Sequence, residues 1–309
     1  MKLDLVVVGD ANPDVVLSGV PDEMPYGQRE RLADAGALTL GGSAAITACG
    51  AARLGLRTAF VGRVGDDPAG RFCLDALRDR GVDVSHCTVD PSVPTALTVV
   101  LVKGGDRAIL TAPGCLPLLD VDDVDPALGL RTRHVHVSSY YLQPRLAAGL
   151  PAWFARLRAG GVTTSLDTND DPSGRWAGGI AAALAQTDIF LPNEDEALAL
   201  AGGGDVAAAA RSLAGRSGRL VVVKRGARGA LAWTADGPIT VSAPPANPVD
   251  TVGAGDSFNA GFLAAHLGGA DIAAGLRLAV ACGALSTRAA GGTAAQATLA
   301  EARGEMSDG

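Results

Sequence analysis

The sequence predicts an α/β fold with a mainly parallel central β-sheet, and three features of its pattern indicate this. Short apolar runs rich in β-branched residues recur along the chain, and all but the last of them end in Gly, Asn or Ser. These runs are apolar at consecutive positions, as strands are when helices cover both faces of a parallel sheet. Between the runs lie Ala-, Leu- and Arg-rich stretches of helical composition, several of which end in Gly. This alternation is typical of parallel α/β architecture.

The predicted elements follow one another regularly along the chain. The core strands are expected at residues 5–9, 58–65, 134–139, 163–169, 188–193 and 220–224. The clearest helices are SAAITACGAARLG from residue 43, PAGRFCLDALRDRG from residue 68 and LPAWFARLRAGG from residue 150. The stretch 221–233 predicts a second hairpin that is part of the core, and the Ala-rich C-terminal stretch predicts a short helix.

Two segments break the alternation. PDVVLSGVPDEMPYGQ, from residue 13, mixes strand-like alternation with many turn residues. PTALTVVLVKGGDRAILTAPG, residues 94–114, predicts a β-hairpin around Gly104-Gly105. We expect strands from about 13–40 and 94–113 to form a small β-lid inserted in a single domain that spans residues 1–309.

Composition limits the classes of function. The chain has 309 residues, of which 48% are hydrophobic and 19% charged, with a net charge of −7. There is no basic excess to neutralise phosphates, so a nucleic-acid partner is not expected. The five cysteines are widely spaced without a CxxC pair, which favours buried thiols in a reducing compartment. MKLDLVVVGD predicts a first strand and no signal peptide, and no run is long enough for a membrane span, so we expect a cytoplasmic protein.

The most informative stretch is PVDTVGAGDSFNAGF, from Pro248 to Phe262. Gly253, Ala254 and Gly255 allow a tight turn directly before an apolar pattern of helical spacing. Free N–H groups and the helix dipole at such an N-terminus favour an anion, and Asp256 places a carboxylate beside it. Asp256 as a simple helix cap would not need the Gly-Ala-Gly turn. The sequence has no GxxxxGK[ST] motif and no GxGxxG after the first strand, so the stretch predicts a different phosphate site.

These residues resemble a known family. DTVGAGDSFNAGF is similar to the C-terminal signature of ribokinase-like, PfkB-type carbohydrate kinases, whose usual form is D-T-x-G-A-G-D-x-F. GGSAAITACGAARLG, from residue 41, resembles the N-terminal Gly-Gly signature, and LPNEDEA, from residue 191, carries the N-x-x-E arrangement. The matches lie in the family's order along nearly the whole chain. The resemblance implies a ribokinase-like three-layer α/β/α fold with a small β-lid.

The resemblance also implies roles in phosphoryl transfer. Asp256 is the catalytic base that takes a proton from the acceptor hydroxyl, and Gly253, Ala254 and Gly255 form the anion hole. The hydroxyl attacks the γ-phosphate of ATP in line. A carboxylate with a pKa near ~4 is a weak base, so we expect positioning to matter more than basicity.

The resemblance further implies an acceptor site. Asn12 and Asp14, expected in a loop after the first strand, would bind sugar hydroxyls, although a turn-forming cluster around Pro13 is the alternative. Gly41, Gly42 and Ser43 would bring the backbone close to the sugar. The family often has Asn where this chain has Ile46, which indicates an apolar part of the acceptor or another source of polarity.

A further acceptor loop is predicted at 167–176, DTNDDPSGRW, which resembles the D-P-N-x-R segment of fructokinase-like and ketodeoxygluconate kinase-like members. Asn169 and Arg175 would contact the substrate there, although a polar turn before a helix explains the same residues. Arg175, and Arg107 on the lid, would be partners for a carboxylate or phosphate because Arg binds such groups bidentately.

The remaining matched residues imply the nucleotide site. Asn193 and Glu196 would hold Mg²⁺ and phosphates, in part through water. Lys224 would contact phosphate, and Gly226 and Gly229 would belong to the hairpin that passes the ATP. Asp250 and the backbone near Val252 resemble the loop that holds a monovalent cation, K⁺, in some members.

The sequence therefore predicts an ATP- and Mg²⁺-dependent kinase that phosphorylates a hydroxymethyl group of a small sugar or sugar acid. A nucleoside kinase on the same scaffold is the alternative, and a non-catalytic ligand-binding protein is a third. His134 and His136 share one strand face and are expected to be core or rim residues. Tyr140 and Tyr141 either line the acceptor pocket or pack. Family analogy alone implies a homodimer through the lid.

Overall fold

The computed structural model describes residues 3–24, 26–103, 106–217 and 220–307. The strands are β1 (Leu3–Val8), β2 (Asn12–Ser18), β3 (Ala35–Gly41), β4 (Thr58–Val61), β5 (Arg63–Gly65), β6 (Thr88–Asp90), β7 (Leu97–Lys103), β8 (Asp106–Ala112), β9 (Thr132–Val137), β10 (Thr163–Leu166), β11 (Ile189–Phe190), β12 (Leu220–Lys224), β13 (Ala230–Thr234) and β14 (Gly237–Val241). The helices are α1 (Ser43–Arg53), α2 (Pro68–Arg78), α3 (Pro126–Leu130), α4 (Pro144–Ala159), α5 (Ile180–Ala185), α6 (Glu194–Ala201), α7 (Val206–Ser217), α8 (Ala254–Leu267), α9 (Ile272–Ser286) and α10 (Leu299–Ser307).

The central sheet has eight strands in the order β14-β13-β12-β11-β10-β9-β1-β4. The six strands from β12 to β4 run parallel, whereas β13 and β14 add an antiparallel edge. The carboxyl ends of the parallel strands therefore meet along one edge of the sheet, where loops lead into helices. Ligands of open parallel sheets bind at this edge.

Helices cover both faces of the central sheet. One hydrophobic core packs α1, α2, α8, α9 and α10 against one face, and a second packs α3 to α7 against the other. The strands are apolar on both faces because both faces are buried, as the consecutive valines of β1 and β12 illustrate. The predicted three-layer α/β/α architecture is confirmed.

A second, four-stranded sheet has the order β3-β2-β7-β8 and forms the lid. It combines two parts of the chain, because β2 pairs antiparallel with β3 and parallel with β7, and β7 pairs antiparallel with β8. The turn predicted at Gly104-Gly105 lies outside the described residues. One expectation is wrong: Asn12 and Asp14 lie on β2 of this sheet and not in a loop, because their backbones pair with Gly41 and Thr39 of β3.

Among the helices of the described ranges, none has the length and apolar character that a membrane span requires.

Candidate active site

The predicted site residues converge at the carboxyl edge of the central sheet. Asp10, Asp167 and Lys224 follow or end strands β1, β10 and β12, and the N-termini of α1 and α8 face the same region. Ser43 opens α1, and Asp256 lies in the first turn of α8. Residues far apart in sequence therefore form one polar cluster at the place where parallel sheets bind ligands.

The glycine turn before α8 leaves backbone donors free. Gly253 takes the N-cap position with φ 73°, and no side chain caps the helix. In the described part of the chain, the N–H groups of Gly255 and Asp256 find no acceptor, whereas Ser257 N–H donates to the Gly253 carbonyl at 2.9 Å. Two first-turn N–H groups are thus available to an anion.

Asp256 is buried beside these donors. Burial, reinforced by the negative charge of Asp167, raises its pKa well above the ordinary value of an aspartate. The expectation of a weakly basic carboxylate with a pKa near ~4 is therefore wrong, because the sequence does not reveal how completely the side chain is buried. A buried carboxylate with a raised pKa is a better proton acceptor.

A chain of hydrogen bonds links Ser139, Asn169 and Ser43 next to Asp256. Ser139 N–H donates to Asn169 Oδ1 at 2.9 Å, and Asn169 Nδ2 donates to Ser43 Oγ at 2.7 Å. Ser43 also lies near the carboxylate of Asp256, where it favours the charged form and so lowers the pKa of Asp256 slightly against the larger effect of burial. Ser43 and Asn169, both predicted as acceptor residues, thus lie next to the predicted base.

Asn12 and Asp14 form a second buried polar group on the inner side of the lid. Asn12 Nδ2 donates to Asp14 Oδ1 at 2.7 Å and to Thr98 Oγ1 at 2.9 Å. A Cβ atom added at Gly41 would lie 2.0 Å from Asp14 Oδ1, so only glycine leaves room for this carboxylate. Burial, followed by the charge of Asp10, raises the pKa of Asp14 to about 7.

The raised pKa of Asp14 predicts that its carboxylate destabilises the folded state in a pH-dependent way. From the ordinary value of 3.8 up to about 7, the folded state keeps a proton that the unfolded state has lost, so stability falls as the pH rises through this window. Replacing Asp14 with Asn removes a cost of up to about 4 kcal/mol above pH 7. We expect Asp14→Asn to have a higher Tm than the wild type at pH 8 and a similar Tm at pH 4, measured by calorimetry.

Asp4→Asn is the matched control for this measurement. The guanidinium of Arg57 bonds Asp4 at 2.8 Å and holds the pKa of that carboxyl well below its usual range. Asp4→Asn should therefore lower the Tm at pH 8, the opposite sign. An Asp14→Asn variant that is less stable than the wild type at pH 8 would contradict the assignment of Asp14 as a buried, costly carboxylate.

Asp10 was not predicted as a site residue, yet it holds the Gly-Gly turn. Its two carboxylate oxygens accept from Ser43 N and Ala44 N, each at 3.0 Å, and so cap α1. A Cβ atom added at Gly42 would lie 2.6 Å from the Asp10 carbonyl oxygen, so a side chain does not fit there. The position of Asp10 directly after an apolar strand is the signal that identifies it in the sequence.

The residues of the loop at 167–176 differ in whether they reach the site. Asn169, with φ 53°, reaches the site, as described above. Asp171 organises the rest of the loop by accepting from Ser173 N at 2.9 Å and Trp176 N at 2.7 Å. Arg175 is exposed, with its Nε 3.3 Å from Ser173 Oγ, and the described residues show no bond between it and the other predicted site residues.

On the nucleotide side, Asn193 and Glu196 form a capping box at the start of α6. Asn193 Oδ1 accepts from Glu196 N, and Glu196 Oε2 accepts from Asn193 N, each at 2.8 Å. Burial, followed by the charge of Asp167, raises the pKa of Glu196 to about 7. The described residues include no group of three His, Cys, Asp or Glu side chains that could hold a metal. One buried carboxylate suits Mg²⁺ only where phosphate and water supply the other ligands.

Lys224 lies between this side and the anion hole. Its ammonium pairs with Asp167, and Asn259 Nδ2 donates to the same carboxylate oxygen at 2.6 Å. Burial opposes the charge of Lys224, but the carboxylate of Asp167 holds its pKa above the ordinary value. A methyl group added at Gly255 would lie 3.6 Å from Lys224 Nζ, so the ammonium faces the first turn of α8.

The remaining predicted residues shape loops. Gly226 and Gly229, with φ of 54° and 84°, bound the turn between β12 and β13, which Arg228 ties to Glu194 of α6 at 2.7 Å. Asp250 joins two loops, because its carboxylate accepts from Val252 N at 2.9 Å and Gly291 N at 2.8 Å.

Ile46 is buried beside the glycine turn that precedes α8. Cβ atoms added at Gly253 and Gly292 would lie 3.1 and 2.5 Å from carbon atoms of its side chain. The side chain of Ile46 thus lies against these two glycines, and what replaces the polar contact of the family's Asn stays a prediction.

His134 and His136 are fully buried core residues. His134 bonds Thr163 and Ser165, and His136 bonds Ser165 and Ser138, all between 2.7 and 2.9 Å. Tyr140 and Tyr141 pack edge to face, and Tyr140 donates to the Gly178 carbonyl at 2.8 Å.

Comparisons with known proteins agree with this geometry. A family model described as pfkB family carbohydrate kinase matches residues 2–299. The chain is 34% identical over 267 residues to a fructokinase of Klebsiella pneumoniae, covering 81% of this chain and 86% of the relative. It is 31% identical over 285 residues to an ATP-dependent ribose-1-phosphate kinase of Halopiger xanaduensis, covering 90% of each.

The fold also agrees with solved structures. The structure of Arabidopsis thaliana ribokinase complexed with ribose and ATP superimposes with a TM-score of 0.84 at 26% identity, covering 99% of each chain. The predicted ribokinase-like fold is thereby confirmed. The match of the family model along nearly the whole chain and the identities to these kinases show that this protein belongs to the pfkB family of carbohydrate kinases.

Proposed function

We propose that this carbohydrate kinase transfers the γ-phosphoryl group of ATP to a hydroxymethyl group of a small sugar or sugar acid. The observation that carries the proposal is the buried carboxylate of Asp256 next to two free N–H groups of α8 and the ammonium of Lys224. A base beside an anion site is what phosphoryl transfer to a hydroxyl requires. Both are intact, which argues against a non-catalytic binding protein.

The residues divide the chemistry between them. Asp256 accepts the hydroxyl proton while the acceptor oxygen bonds to the γ-phosphorus and the bond to ADP breaks. The N–H groups of Gly255 and Asp256, together with Lys224, stabilise charge on the transferring phosphoryl. Glu196 and Asn193 would hold Mg²⁺ through water, and Mg²⁺ would neutralise phosphate charge.

We further propose that the loop of Asp250 and Val252 binds K⁺ through backbone carbonyls. Replacing K⁺ with tetramethylammonium in the assay tests this proposal.

Two observations favour a sugar or sugar acid over a nucleoside. The nucleobase of a nucleoside would stack on an aromatic side chain of the lid. In the described lid segments the aromatic residue is Tyr26, and its side chain is 87% exposed to solvent. Arg107 of β8 reaches across to the loop before the anion hole, where its Nη1 lies 3.1 Å from Thr251 Oγ1. A guanidinium at this edge of the lid suits a carboxylate or phosphate on the acceptor.

The experiment is ADP release with Mg-ATP across neutral pentoses and hexoses, ketodeoxy sugar acids, sugar phosphates and nucleosides. We expect turnover on a sugar class, with Arg107→Ala raising KM about 10-fold or more for an anionic acceptor and little for a neutral one. Arg29→Ala, on an exposed part of the lid segment, is the control. Turnover on nucleosides alone would favour the alternative, and no turnover on any acceptor would contradict the proposal.

We also propose that the chain works as a single domain whose lid pairs with a second copy. The lid exposes large apolar side chains, with Leu38 57%, Ile109 56% and Leu110 62% exposed. These side chains lie on β3 and β8, the two edge strands of the lid sheet, and an edge strand can pair with a strand of another chain. Sedimentation should give a dimer for the wild type and a monomer for Ile109→Lys/Leu110→Lys; a monomeric wild type would contradict this proposal.

A further inference from the structure

A buried ion pair in the site is not explained by the roles given so far. The side chain of Asp167 is completely buried and that of Lys224 is 10% exposed. Breaking such a pair leaves an uncompensated buried charge, and well-packed apolar residues in its place are often more stable. A contribution to stability alone therefore does not explain why the chain buries this ion pair.

The two oxygens of Asp167 face two sides of the site. Oδ2 accepts from Lys224 Nζ and from Asn259 Nδ2, the latter at 2.6 Å. Oδ1 accepts from the backbone N–H of Asn169 at 3.3 Å. Asn169 Nδ2 in turn donates to Ser43 Oγ at 2.7 Å, at the N-terminus of α1. One carboxylate thus connects the acceptor loop with the ammonium next to the anion hole.

Among the described residues, one of the N–H bonds of the Lys224 ammonium has no acceptor. An ammonium has three N–H bonds. One is directed to Asp167, and a second points toward Asn259 Oδ1 at 3.5 Å. The third remains for an anion at the first turn of α8, which the ammonium faces across Gly255. The charges around it are those of Asp167, Glu196 and Asp256.

We infer that Asp167 is a positioning residue for phosphoryl transfer: it holds the Lys224 ammonium beside the N-terminus of α8 and sets the Asn169 loop on the acceptor side. This inference rests on the proposed function. Asp167 itself need not touch either substrate. Its effect on the reaction passes through Lys224, so removing Asp167 and removing Lys224 should have overlapping and not additive consequences.

The test compares Asp167→Asn, Lys224→Met and the double variant, with Asp4→Asn as a control at a buried carboxylate outside the site. We expect each single variant to lower kcat about 100-fold on the acceptor found in the panel, as loss of one preorganised donor does. The double variant should keep the kcat of Lys224→Met, while its Tm rises above that of Asp167→Asn because no unpaired buried ammonium remains. A merely structural Asp167 would instead leave the kcat of Asp167→Asn close to that of the wild type at temperatures where the variant is folded.

A binding readout decides the inference without turnover. By calorimetry, the wild type should bind ATP more tightly than ADP, and this ratio should fall about 5-fold or more in both single variants because the γ-phosphate contact is lost. An Asp167→Asn variant with the wild-type ratio, or with additive kcat losses in the double variant, would overturn the inference. An inactive wild type whose ATP-to-ADP ratio still depends on Asp167 would instead contradict the proposed function alone.

Discussion

Replacing Asp256 with Asn should lower kcat by about 10² to 10⁴-fold, the range for loss of a general base. Asn has the same shape as Asp, but its side-chain amide cannot take the proton of the acceptor hydroxyl. Burial raises the pKa of Asp256, so the charged form is costly in the folded state. The variant should therefore be as stable as the wild type or more stable at neutral pH. Steady-state kinetics with calorimetric Tm and ATP affinity measures all three quantities.

Asp271→Asn is the matched control for this variant. Asp271 caps α9 by accepting from Ala274 N at 2.7 Å, and Asn is an equally good cap. We expect kcat, KM and Tm of Asp271→Asn close to those of the wild type. A kcat of Asp256→Asn within tenfold of the wild type, with unchanged ATP affinity, would show that Asp256 is not the base.

Gly255→Ala and Gly253→Ala should separate catalysis from stability within one turn. A Cβ atom at Gly255 makes ordinary contact with Lys224, at 3.6 Å from Nζ, and Gly255 lies within α8. Alanine there should raise stability by about 0.5 to 1 kcal/mol. It should also lower kcat about 100-fold, because the methyl group fills the space between the N–H donors and Lys224 that the phosphoryl needs.

Gly253→Ala should behave in the opposite manner. Its φ of 73° disfavours alanine, and the Cβ atom would lie 2.5 Å from Gly292 Cα. We expect a loss of stability of at least about 1 to 2 kcal/mol. Thermal unfolding and kinetics of the two variants side by side provide the test. A Gly255→Ala enzyme with full kcat would contradict the placement of the phosphoryl at this turn.

Much of the fold could be predicted from the sequence because its signals are local. Apolar runs such as the one in β12 are buried on both faces, and their spacing defines parallel strands separated by helices. The turn at Gly253 could also be predicted from the sequence, since glycine before a helical pattern implies a special backbone conformation. The sequence also predicts that strands from both distant segments form one lid, although it does not predict their order or register.

The parts that sequence did not reveal depend on contacts between distant residues. Asn259 and Asp167 are 92 positions apart, and only the folded sheet brings α8 beside the end of β10. The pKa of Asp256 depends on burial, which a single residue in a motif does not report. The surroundings of Ile46 depend on the packing of α1 against the glycine turn, which its position in the sequence does not report.

The most direct test of the phosphoryl-transfer site is a crystal structure with Mg-ADP, aluminium fluoride and the preferred acceptor. We expect the fluoroaluminate to bind the N–H groups of Gly255 and Asp256 and the ammonium of Lys224. The acceptor hydroxyl should lie within about 3 Å of the Asp256 carboxylate. An analogue bound away from the first turn of α8, or a hydroxyl turned away from Asp256, would contradict this expectation.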